Sequence, residues 1–88
     1  MLLLLECLLE MLDKCGVDRT SDGDFIINLT AYKKMLYHEY HIAFLAACLP
    51  HYPRCKRHYI TRPLTYKSWV TLVKQICKSQ QFSGIQYK

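Results

Sequence analysis

Acidic residues stop at Glu39: no Asp or Glu follows in the remaining chain. A histidine or cysteine there has no nearby-in-sequence carboxylate to orient it, which argues against an acid–base or nucleophilic constellation. Glycine and proline are scarce, three of each, and the glycines are isolated. That excludes a glycine-rich phosphate cradle, and with 51% hydrophobic residues it also excludes a disordered or low-complexity chain. Long apolar runs are missing too. MLLLLECLLEML is interrupted by Glu6 and Glu10, lacks a basic leader, and is too short to span a bilayer. The cysteines, Cys7, Cys15, Cys48, Cys55 and Cys77, are odd in number and irregular in spacing, which argues against a disulfide framework. The expectation is an intracellular, reduced, non-enzymatic protein without a cofactor; cytoplasm and nucleus are not distinguished.

What is present is charge segregated along the chain. Residues 1–24 carry Glu6, Glu10, Asp13, Asp18, Asp22 and Asp24 against Lys14 and Arg19, whereas residues 25–88 carry ten Lys and Arg against Glu39 alone. With 88 residues there is material for one small domain, read as a leucine-rich helix (1–15), an acidic loop (16–29) and a basic helical region (30–88).

Periodicity predicts three helices. Leu2, Leu5, Leu9 and Leu12, widened by Leu8 and Met11, make an apolar stripe over 2–15, and Gly16 suits its left-handed end. Tyr32, Leu36, Tyr40, Ala43 and Ala47 predict a helix over 31–48 with Thr30 as N-cap, ended by Pro50 and Pro53. Trp69, Val70, Leu72, Val73, Ile76 and Cys77 face one way over 66–79, with Thr65 as N-cap and Lys67, Thr71, Lys74 and Lys78 opposite. Short β-prone stretches at 25–29 and 84–87 are expected to pair. The fold class is therefore mainly α: one three-helix domain with a short β pair. The broad stripe of residues 2–12 suggests either core packing or a homodimer seam.

Three stretches invite a site. DRTSDGDFIINL, from Asp18, begins like an EF-hand loop, with Thr20, Asp22, Gly23 and Asp24 at suitable positions. The count fails at its twelfth position, where Leu29 stands in place of a bidentate carboxylate, so the stretch reads as an acidic hinge. Cys48, His51, Cys55 and His58 offer zinc-type ligands, but within a short proline-punctuated span, and Cys48 suits a buried helix end. Arg54, Lys56, Arg57, Arg62, Lys67, Lys74 and Lys78 form a polyanion-binding candidate, interleaved with Tyr59, Tyr66 and Trp69. Trp69 lies on the apolar face, where it reads as core.

The pieces AYKKMLYHEY, HYPRCKRHYITR, LTYKSWVTLVKQIC and IQY, in that order, resemble a group of short uncharacterised proteins of nucleocytoplasmic large DNA viruses. The resemblance spans Thr30 to Tyr87 and is most specific at Thr65, Tyr66 and Gln75–Ile76–Cys77, preceded by Tyr59 and Arg62. Trp69 and Lys74 stand where the group has Phe and Arg, while His51 and Cys55 take Tyr-like and Ser-like positions. The resemblance implies no metal at those two positions and no activity. It implies a small accessory protein of an infected cell, with an unidentified host or viral protein partner. The same residues suggest a structural network of Tyr59, Arg62, Tyr66, Trp69 and Gln75. The expected function is a protein–protein interaction module; the alternative is a basic nucleic-acid-binding protein using phosphate contacts.

Overall fold

The computed structural model describes residues 3–56 and 64–88. Helix α1 is Leu4–Lys14, strand β1 is Phe25–Ile27, α2 is Leu29–Met35, α3 is Glu39–Cys48, α4 is Tyr66–Ser79 and β2 is Ile85–Tyr87. The protein is thus mainly helical with one short two-stranded sheet, the fold class its sequence predicts. Among the described residues, no helix is long and apolar enough to cross a membrane.

Helix α1 opens with the Glu6 carboxylate accepting the Leu3 N–H at 3.3 Å, which also sets a negative charge at the positive helix end. It closes in a Schellman turn: Gly16 takes φ 72°, its N–H reaches the Asp13 carbonyl, and the Val17 N–H reaches the Leu12 carbonyl. Leu8, Met11 and Leu12 are fully buried against α3 and α4, so the centre of the leucine stripe is used inside the chain.

The expected helix over 31–48 is two helices. Asn28 is the cap of the first, its side chain accepting the Ala31 N–H at 2.8 Å, so α2 starts ahead of Thr30. The break falls at Leu36–His38, where no proline or glycine marks it. His38 is extended (φ −74°, ψ 141°), its Nδ1 accepts the Tyr40 N–H at 3.2 Å, and its ring stacks on Tyr40. Packing supplies the reason. In one straight helix Tyr32 and His41 would project about 180° apart, at roughly 100° per residue. The break turns both inward, and their rings meet edge to face at 6.1 Å.

Helix α4 is capped as predicted, with the Thr65 hydroxyl accepting the Ser68 N–H at 3.1 Å. Trp69, Leu72, Val73, Ile76 and Cys77 are buried. The helix ends in a second Schellman turn, built on Gln81 at φ 54°, with Phe82 N–H to the Cys77 carbonyl and Gln81 N–H to the Lys78 carbonyl. The turn aims β2 back alongside β1. The strands pair in parallel with Phe25 opposite Ile85, Ile26 opposite Gln86 and Ile27 opposite Tyr87.

The core gathers Phe25 and Ile27 from the sheet with apolar residues of every helix. At its centre Trp69 lies 5.2 Å from Tyr32 and 6.0 Å from His41, ring centre to ring centre. The His41 Nδ1 sits 3.2 Å from the Leu36 carbonyl, which can only accept, so Nδ1 carries the hydrogen. The Tyr32 hydroxyl donates to the Leu64 carbonyl, tying α2 to the lead-in of α4.

Candidate interaction surface

The acidic loop is closed on itself. The Thr20 N–H donates to the Asp24 carbonyl at 2.8 Å, and the Asp24 N–H donates back to the Thr20 hydroxyl. Arg19 stacks over the Phe25 ring at 4.0 Å, donates to the Gly23 carbonyl and approaches Asp13 at 3.9 Å. The Gln86 amide donates to the Asp24 carboxylate at 3.2 Å. These contacts make the loop a lid on the β1 edge, with several of its oxygens already engaged.

Of the zinc-type residues, Cys48 and Cys55 are buried in the core and His51 is exposed; His58 lies outside the described residues. Burial pushes the thiols of Cys48 and Cys55 up; the neighbouring Cys55 raises Cys48 further, while the hydrogen bond between them works the other way on Cys55. They are protonated core hydrophobes rather than thiolates. Among the described residues, no group of three or more His, Cys, Asp or Glu is placed to hold a metal.

The basic residues divide differently. Arg57 and Arg62 lie outside the described residues, as does Tyr59. Lys67, Thr71, Lys74 and Lys78 form an exposed stripe on α4, opposite the face that buries Trp69. Lys56 is exposed, a short way beyond the end of α3. Among the described residues the stripe makes no ion pair; the acidic N-terminal segment keeps its Asp13–Arg19 contact to itself.

Two hollows flank this stripe. One, of about 590 Å³, is lined among the described residues by His51, Tyr52, Pro53, Arg54 and Cys55 on one side and by Leu64, Lys67, Ser68, Thr71, Leu72 and Gln75 on the other. It brings Arg54 and Lys67 together over the apolar Leu64 and Leu72. The second, of about 280 Å³, lies at the far end of α4 and is lined by Lys74, Cys77, Lys78, Phe82, Ser83, Ile85 and Tyr87. Lys74 sits 4.8 Å from the centre of the Tyr87 ring. Burial pushes the Tyr87 phenol up to about 12. Neither hollow has a carboxylate among its described lining residues.

Of the network expected from sequence, Tyr59 and Arg62 lie outside the described residues. Tyr66 and Trp69 meet through Tyr32, whose ring centre lies 5.7 Å from that of Tyr66. Gln75 instead stands exposed at the first hollow. Tyr32 and His41 were the missed members. Their signal, an aromatic residue at the start of one helical stretch and a histidine nine positions on, is legible only once the helix break is known.

Comparison with family models, with curated proteins and with solved structures found no match to this chain.

Proposed function

We propose that this chain is a small non-enzymatic interaction module that docks an acidic protein partner along the basic face of α4. The observation that carries the reading is the stripe of Lys67, Lys74 and Lys78. It is exposed, it has no ion-pair partner among the described residues, and it lies between two hollows with apolar floors. Lysines select an acidic surface and steer its approach. Leu64 and Leu72 at one end, and Phe82 and Ile85 at the other, give apolar side chains somewhere to go, which a phosphate backbone does not need. The resemblance to short viral proteins supports an accessory role in an infected cell, with a host or viral partner.

A second reading, nucleic-acid binding, is favoured by the same lysines, since a line of cations on one helix matches a line of phosphates. Trp69 counts against base stacking, because it is fully buried. Affinity capture from infected cells, comparing the wild type with the Lys67→Glu/Lys74→Glu/Lys78→Glu variant, tests the first reading. An acidic protein retained by the wild type and lost by the variant is the expected result. A titration with mixed-sequence DNA and RNA tests the second. Binding at ~50 mM salt that weakens steeply as salt rises would favour nucleic acid instead.

A further inference from the structure

In a parallel pair, alternate residues of each strand direct both backbone groups to the partner strand, and the residues between direct theirs away. The Phe25 N–H donates to the Gly84 carbonyl at 2.8 Å, and the Lys88 N–H donates to the Ile27 carbonyl at 2.9 Å. Gly84, Gln86 and Lys88 therefore face β1, and the N–H and C=O groups of Ile85 and Tyr87 point to the opposite side. The corresponding outward residue of β1 is Ile26, and its edge is occupied: its N–H donates to the Asp18 carbonyl at 2.8 Å, beside a bridge between Arg19 and Phe25. The outward groups of Ile85 and Tyr87 have no backbone partner among the described residues.

The open edge does not look onto bare solvent. Ile85 and Tyr87 line the second hollow, whose other wall is Lys74, Cys77 and Lys78 of α4 and whose end is Phe82. Their side chains share a face with Phe25 and Ile27, the face that packs on the helices. A further strand laid beside β2 would thus set its inward side chains in this hollow, against Phe82 and between the two lysines.

We propose that the β2 edge is the seat of the partner, which adds as an extended acidic strand along Ile85–Tyr87. This rests on the reading of α4 as a basic docking face and names the form its ligand takes. Main-chain pairing to Ile85 and Tyr87 supplies register, and carboxylates on the added strand meet Lys74 and Lys78. Charge also chooses the occupant. A second copy of the chain pairing edge to edge would bring its own Lys74 and Lys78 toward the same two lysines, a like-charge approach that disfavours it. A nucleic acid would meet the lysines but has no use for the outward amides.

The test uses the full chain, isotope-labelled, with a short peptide alternating Glu and Val as probe. The expected result is slowed hydrogen exchange at the Ile85 and Tyr87 amides on saturation. The same peptide with N-methylated backbone amides keeps its charge but cannot pair, and should bind about tenfold more weakly or worse. Lys74→Glu/Lys78→Glu should lose binding with the chain still folded, because both side chains are exposed. Equal affinity for the methylated and unmethylated peptides, with shifts confined to α4, would overturn strand addition while leaving the basic docking face intact. Absence of binding by either peptide, with tight binding of DNA, would overturn both. Protection of the Ile85 and Tyr87 amides that grows with protein concentration in the absence of peptide would replace the acidic partner with a second copy.

Discussion

Helices α1 and α4 are built to the same plan and used differently. Each carries one apolar face into the shared core, and each ends in the same turn, with its sixth-residue amide returning to the helix. Their polar faces have opposite sign. On α1 the Asp13 carboxylate is approached by Arg19 at 3.9 Å, while Lys67, Lys74 and Lys78 of α4 meet no carboxylate among the described residues. An apolar stripe alone therefore says little about docking. The leucines of α1 look like a free seam in sequence, yet Leu8, Met11 and Leu12 are consumed by packing. Under the proposed function, the face that meets a partner belongs to the helix whose hydrophobic side is the less conspicuous one.

The largest effect should come from the apolar faces. Trp69→Ala and Leu12→Ala are each expected to cost about 3–5 kcal/mol of stability in denaturant unfolding, since both side chains are fully buried. A much smaller loss for Leu12→Ala would reopen α1 as an interface helix. Next comes alkaline pH. Burial raises the Tyr32 and Tyr87 phenols from 10.0 to about 12. Their folded-state values lie above the unfolded ones, so this stabilisation is complete below about pH 10 and drains away as pH rises toward about 12. The melting temperature should fall across that window, and Tyr87→Phe should flatten the fall; an unchanged slope would place the phenol in water.

The helix ends allow a finer contrast. Gly16 adopts φ 72° without penalty, whereas Gln81 holds φ 54° with a side chain attached. Gln81→Gly should raise stability by up to about 1 kcal/mol, and Gly16→Ala should lower it by a similar amount. If both changes are neutral, the two turns are not the equivalent structures their hydrogen bonds imply. The smallest expected effect on stability is that of Lys74→Glu/Lys78→Glu, which should leave the melting temperature nearly unchanged while removing the partner from the α4 face.

Much of this architecture is readable from residue order because local and tertiary demands agree. Thr65 caps α4, Gly16 ends α1, Trp69 falls on the apolar face, and Phe25–Ile27 finds Ile85–Tyr87, all as the pattern predicts. The break at Leu36–His38 was not readable, because it is imposed by packing: His38 is an ordinary polar residue until Tyr32 and His41 both have to face Trp69. The turn at Gln81 was hidden for a related reason. Gly84 is the conspicuous glycine nearby, but it serves a close approach, since a Cβ there would run into the Phe82 ring. The open β2 edge was invisible because spacing reveals which residues form a strand but not which side of it remains unpaired.

The parallel ladder closes a circuit. Phe25 and Ile85 are joined only after α2, α3 and α4 have been laid between them. Bringing such distant residues together carries a loop-closure cost that the helices do not face individually, so the sheet is expected to form late in folding and to part early in partial opening. A surface that exists only when this circuit is shut would offer the proposed partner a test of whether the fold is closed. A strand held there would in turn oppose its reopening, so occupancy should guard β2 against proteases before it measurably changes the melting of the helices.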